Sequence, residues 1–213
     1  RRENQNPKLA KANIVMVLVE LGENMEREAN KIEERVDRTA RALNSGNVDY
    51  AVIGGNAMGA WLRTVGSGIH TRDVDILLRR DDTEIAARAL SGGGFIRRDI
   101  GSHTMFLDGP GTRVIDAVHV VFSGELHKPG ELEPSPSVDE YEVLDGARVI
   151  SLEALTRMKL TAFRSKDRGH LIVLLTAGVI NESMMERIPV SLRSRFQEVL
   201  LEREATRQPW KED

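Results

Sequence analysis

The run Tyr50-Ala51-Val52-Ile53 passes without a spacer into Gly54-Gly55, and a short helical pattern follows from Asn56 to Arg63. A buried strand that turns on two glycines into a helix leaves few architectures open, because such a strand has to lie in a sheet covered by helices. The next strand-like run, Asp73 to Leu78, carries carboxylates at Asp73 and Asp75. Side chains two apart on a strand share a face, so two like charges are held side by side there. They repel at a cost unless water or a cation neutralises them.

The rest of the chain supplies the other elements. Phe95 to Asp99, His103 to Leu107 and Arg113 to Phe122 read as strands joined by Gly-rich turns. Asp81 with Glu84 three residues on reads as a capping box, opening a helix that runs through Leu90 and ends at Gly92-Gly93-Gly94. Leu9 to Leu21 is an apolar-rich stretch stopped by Gly22. Asn24 then starts a charged segment whose apolar positions, Met25, Ala29, Ile32, Val36, Ala40 and Leu43, trace one helical face. That helix either packs on the domain or meets a partner, and Asn44-Ser45-Gly46-Asn47 ends it. Pro129 to Pro136 reads as an exposed loop, and from Ser151 the pattern is helical to the end. The expected fold class is α/β (α+β). A mixed sheet flanked by helices occupies residues 47–150, with an N-terminal helical extension over 1–46 and a C-terminal helical region over 151–213 packed on it.

Composition narrows the functions. Thirty basic against 33 acidic residues, a net charge of −3, disfavour a globally basic nucleic-acid binder and leave room for a local basic face. The absence of cysteine removes disulfides, thiolate metal sites and cysteine nucleophiles, and suits the reducing cytoplasm, which is the expected location. No apolar run reaches the roughly 18 residues of a membrane span, and Arg1-Arg2-Glu3-Asn4 lacks the apolar core of a signal peptide, so no membrane partner is expected. The missing initiator Met leaves an upstream segment open. Histidines 70, 103, 119, 127 and 170 have no metal-ligand spacing, and no Gly-x-Ser-x-Gly elbow occurs.

Gly54-Gly55 lets the backbone approach a ligand, and the helix behind it points free N–H groups and a positive dipole end at the same spot. The alternative is a plain tight turn. Two carboxylates on one strand face beside a phosphate-binding turn suit Mg²⁺, with Mn²⁺ as the substitute, completed by substrate phosphates and water. The alternative for Asp73 and Asp75 is a solvated edge strand ion-paired to Arg72 and Arg79. Asp116 is the lone acid in the apolar run Arg113 to Val121, where a carboxylate needs a partner or a metal. Three acids on two strands beside a Gly-Gly turn are what a two-metal phosphoryl or nucleotidyl transfer site requires. Arg63 is a candidate second phosphate contact or an exposed helix arginine. His70, just ahead of the acids, either touches substrate or lies exposed in a loop. On the C-terminal helical pattern, positions 152, 155, 159, 162, 163 and 166 share a face. Lys159 therefore lies among Leu152, Leu155, Ala162 and Phe163. Its stem either snorkels past the core edge or its ammonium faces phosphates, with Lys166 two turns along reaching the same polyanion. Asp167 either orients Lys166 or caps a helix.

Gly54-Gly55-Asn56, Asp73-Val74-Asp75 and Asp116 together resemble the nucleotidyltransferase superfamily that includes DNA polymerase beta. Gly54-Gly55-Asn56-Ala57, Thr71 to Asp75, Met158-Lys159-Leu160 and Lys166-Asp167 are most similar to the AbiEii-type bacterial nucleotidyltransferases, a group containing toxins of toxin–antitoxin pairs. The resemblance spans roughly Asp49 to Leu175. It implies that Asp73 and Asp75 bind both metals, Asp116 binds the catalytic one, and Gly54 and Gly55 hold the triphosphate. Many members place Ser where this chain has Asn56, whose amide can still donate to phosphate, and members often carry an acid where His170 stands. The implied activity is Mg²⁺-dependent transfer of a nucleoside monophosphate from an NTP to an acceptor hydroxyl on RNA, protein or a small molecule. An antitoxin or a second copy is the expected partner. The alternatives are a non-catalytic nucleotide-binding or antitoxin-like partner protein, and a metal-dependent phosphohydrolase.

Overall fold

The computed structural model describes residues 7–69, 71 and 73–207; within the first helix, side chains are described from Glu23 onward, Met25 excepted. The chain runs α1 (Pro7–Ser45), β1 (Tyr50–Ile53), α2 (Gly54–Arg63), β2 (Val74–Leu78), α3 (Thr83–Gly92), β3 (Ile96–Ile100), β4 (His103–Leu107), β5 (Val118–Phe122), β6 (Tyr141–Leu144), β7 (Ala147–Ile150), α4 (Leu152–Ala162), α5 (Ser165–Thr176), α6 (Met184–Arg187) and α7 (Val190–Arg207). The seven strands form one mixed sheet in the order β3-β4-β5-β2-β1-β7-β6. β1 runs antiparallel to β2 and parallel to β7, and β2 runs parallel to β5. The strand carrying Asp75 is therefore central, which overturns the edge-strand alternative.

Several local expectations give way to tertiary packing. α1 continues through Gly22 rather than stopping there, since a single interior glycine costs a helix only about 1 kcal/mol. The capping box at Asp81 does not form: a 3-10 turn, Arg80–Asp82, precedes α3, no side chain caps it, and Glu84 instead accepts Arg97 Nη1 at 2.6 Å. Within residues 137–150, to which the sequence pattern assigns no element, β6 and β7 form a hairpin. Its Asp145-Gly146 turn has φ of 50° and 78°, the two positive angles of a type I′ turn, and the Asp-Gly pair was the signal for it. The C-terminal helical pattern is broken as well. Phe163 adopts a left-handed φ of 48°, and α5 starts afresh beyond Arg164.

α1 packs on α3, β2 and β7, whereas α4, α5 and α7 pack on one another, and α4 and α5 also pack on α2. Two cavities lie on opposite faces of β1, because Ile53 lines one and its neighbour Val52 lines the other. None of the described helices is long and apolar enough to cross a membrane.

Candidate active site

β1 delivers the chain to Gly54, whose φ of +67° is one that side-chain-bearing residues rarely adopt. A Cβ on Gly54 would lie 2.3 Å from Asp75 Oδ2, and one on Gly55 would lie 2.7 Å from Thr71 Oγ1. The glycines are thus required sterically, by the acidic strand that folds over them. Register explains the approach, since Ile53 pairs with Asp75 across the antiparallel β1–β2 ladder. No side chain caps the N-terminus of α2, so its first-turn N–H groups keep the donor capacity that suits an anion.

Asp73 lies one residue ahead of β2 and Asp75 within it. Thr71 Oγ1 donates to Asp73 Oδ1 at 2.9 Å, and Asn56 Nδ2 donates to the Asp73 carbonyl at 2.7 Å. Asp75 has no such support. Among the described residues no hydrogen bond stabilises its carboxylate, and its pKa is pushed up to about 6, by burial first and by the Asp73 charge second, against the pull of His119, Lys166 and Lys159. A desolvated carboxylate beside a second one, with no cation in contact among the described residues, has the donor chemistry of a divalent-cation site. The described residues hold no ready-made group of three His, Asp or Glu ligands, so Asp73 and Asp75 would bind such an ion together with oxygens of substrate and water.

Both acids and Gly54 line a cavity of about 470 Å³. Its opposite wall is basic: Lys159 from α4, Arg164 from the connection, and Lys166 from α5. Lys159 is only 4% exposed. Burial first, with the Lys166 and Arg164 charges, lowers its pKa to about 8, while Asp167 and Asp75 oppose the shift. Its Nζ is 3.0 Å from His170 Nδ1. Asp167 caps: its Oδ2 accepts Arg164 N at 3.3 Å and Arg164 Nε at 2.6 Å. Lys166 reaches the cavity from a separate helix rather than from two turns along the same one, and the break at Phe163 is what lets both lysines face it. The loop from His127 to Ser135 closes a third side.

Other predicted site residues go elsewhere. Asp116 is in a 3-10 turn, Val114–Asp116, rather than a strand. It accepts Arg113 Nε at 2.8 Å and is not among the residues that line the cavity. The structure does not bring it to the cavity; the partner an acid needs in this run is Arg113. Arg63 donates to Asp145 at 3.2 Å and lines the second cavity, as does Asn56. The hydrogen bond that the Asn56 amide makes goes to the Asp73 backbone. Arg79 donates to Asp49 and Asp139, both at 2.7 Å, so it does not neutralise the acid pair. His70 and Arg72 lie outside the described residues. Sequence reasoning missed His119, which the parallel register sets directly opposite Asp75 on the same face. Only the pairing of β2 with β5 reveals that.

No protein-family model matches the chain, and no curated protein matches it. Among solved structures, the antibiotic-resistance factor ANT(2'')-Ia aligns over 84% of this chain and 97% of its own, with a TM-score of 0.52 at 14% identity. The fold is a nucleotidyltransferase fold. JHP933 from Helicobacter pylori aligns over 84% of this chain and 94% of its own at 14% identity and a TM-score of 0.47. An antigenic nucleotidyltransferase-like protein from Paracoccidioides brasiliensis aligns over 84% and 90% at 18% identity, with a TM-score of 0.47. At 14% identity the likeness to ANT(2'')-Ia is one of fold, and it does not single out the AbiEii-type subdivision.

Proposed function

We infer that the chain is a nucleotidyltransferase that moves a nucleoside monophosphate from an NTP to an acceptor hydroxyl, with Mg²⁺ or Mn²⁺ bound by Asp73 and Asp75. The observation that carries this reading is the Asp75 carboxylate, desolvated over Gly54 and without a hydrogen-bond partner among the described residues, across one cavity from Lys159 and Lys166. Acids on one wall and cations on the other suit a metal–triphosphate that must touch both.

When bound, the cation supplies charge neutralisation and Lewis-acid activation at the α-phosphate. The chain's own groups do the rest. Gly54 and Gly55 present backbone N–H groups to phosphate oxygens; Lys159, Lys166 and Arg164 hold the phosphates that leave as pyrophosphate. Asn56 acts on Asp73, whose carbonyl it grips, and Thr71 orients the Asp73 carboxylate. Asp116 and Arg63 stay outside the proposed site.

The test is isothermal titration with ATP, GTP, CTP and UTP, with and without Mg²⁺, on the wild type and Asp75→Asn, followed by transfer of label from the bound NTP in a cell extract. Mg²⁺-dependent binding lost in Asp75→Asn, with a labelled acceptor, supports the reading; a labelled RNA would fit the toxin-type role. Binding without transfer would favour a nucleotide-binding partner protein, and nucleotide loss without acceptor a phosphohydrolase.

A further inference from the structure

Lys159 is nearly inaccessible, yet its hydrogen-bonding neighbour is a histidine and not an acid. Two carboxylates are close enough to act on it, those of Asp167 and Asp75. Neither is its contact: Asp167 is taken up by the Arg164 guanidinium and backbone, and Asp75 faces Gly54. The left-handed turn at Phe163 folds α5 back along α4, and that return brings His170 Nδ1 to 3.0 Å from Lys159 Nζ.

The partner's chemistry matters. An ammonium only donates, so Nδ1 is the accepting nitrogen and the ring proton is on Nε2. Burial first, then the Lys159 charge, lowers the His170 pKa, which keeps the ring neutral. A carboxylate in the same place would fix the lysine equally well but would cancel much of its field at this nearly inaccessible position, where charges act more strongly than in water. We propose that His170 is a positioning residue that holds the Lys159 ammonium in the cavity without neutralising it, leaving the full charge to phosphate oxygens. This rests on the reading of Lys159 as a phosphate contact.

The experiment measures binding of Mg²⁺–tripolyphosphate, a probe with no base or sugar, to the full chain by calorimetry, with melting temperatures recorded in parallel. Four proteins are compared: wild type, His170→Asn, His170→Asp and Lys159→Met. Asn offers a neutral acceptor near the Nδ1 position, and Asp offers the same reach with a negative charge. Asn should bind within about threefold of wild type and Asp on the order of tenfold more weakly, even if Asp raises the melting temperature. A merely structural histidine would not separate the two by charge. Equal binding by Asp and wild type would overturn the proposal, as would Asn binding as weakly as Asp. Unchanged binding by Lys159→Met would instead remove the phosphate reading of Lys159 itself, while weak Lys159→Met binding with a flat His170 series sinks only the role of His170. His170→Gln and His170→Glu repeat the comparison one methylene longer if a shorter variant does not fold.

Discussion

Asp75 should make the metal-free protein less stable at neutral pH than it would be without the charge. Its folded-state pKa of about 6 is above the ordinary 3.8, so the proton is bound more tightly in the folded chain than in the unfolded one. The associated stability is fully present below pH 3.8 and is lost as pH rises through about 6. At 1.36 kcal/mol per pH unit the loss approaches about 3 kcal/mol at pH 7. Asp75→Asn removes the charge and keeps the shape, but leaves a desolvated amide that costs about 1–2 kcal/mol of its own. A net gain of about 1–2 kcal/mol at pH 7 is the expected result, read as a rise in melting temperature of about 2–8 °C. Denaturant unfolding in EDTA at pH 7 and at pH 4 is the assay, and the gain should vanish at pH 4, where the folded wild type is already protonated. A loss of several kcal/mol at pH 7 would refute the reasoning, since it would mark Asp75 as one half of a buried ion pair.

Gly54→Ala forces a Cβ within 2.3 Å of Asp75 Oδ2 at a φ of +67°, so about 2 kcal/mol or more of stability should be lost in urea unfolding, together with Mg²⁺–tripolyphosphate binding. Lys159 has the opposite sign from Asp75: its pKa is lowered from 10.5 to about 8, so its stability contribution is present above 10.5 and lost as pH falls through about 8. Lys159→Met should therefore be more stable than wild type at pH 7, by about 1–3 kcal/mol, with the difference shrinking between pH 8 and pH 10.5 in parallel melting curves. Asp167→Ala removes the buried cap that holds Arg164. It should cost about 1–3 kcal/mol and weaken tripolyphosphate binding, because the turn at Phe163 no longer sets Lys159 and Lys166 on one wall.

The features that could be read from residues alone are local ones. Tyr50 to Ile53 is buried because four apolar side chains in a row must leave water, Gly54 turns because only glycine tolerates that backbone and that contact, and Asp73 and Asp75 share a face because the strand period is two. The helical face of Lys159 was equally visible, since its repeat is set by neighbours three and four residues away. Asp116 shows where this stops. Its apolar surroundings resembled a strand, but Arg113 three residues earlier offered an ion pair that a 3-10 turn satisfies, and no local pattern decides between those outcomes. Likewise nothing in residues 118–122 states that β5 will lie beside β2 in the register that sets His119 against Asp75, nor does the C-terminal pattern state that it breaks at Phe163 and brings His170 to Lys159. Period and turn chemistry are properties of a few consecutive residues. Strand neighbours, register and the contact between helices are decided by the free energy of burying distant segments against one another, and that energy exists only once the whole sheet has assembled.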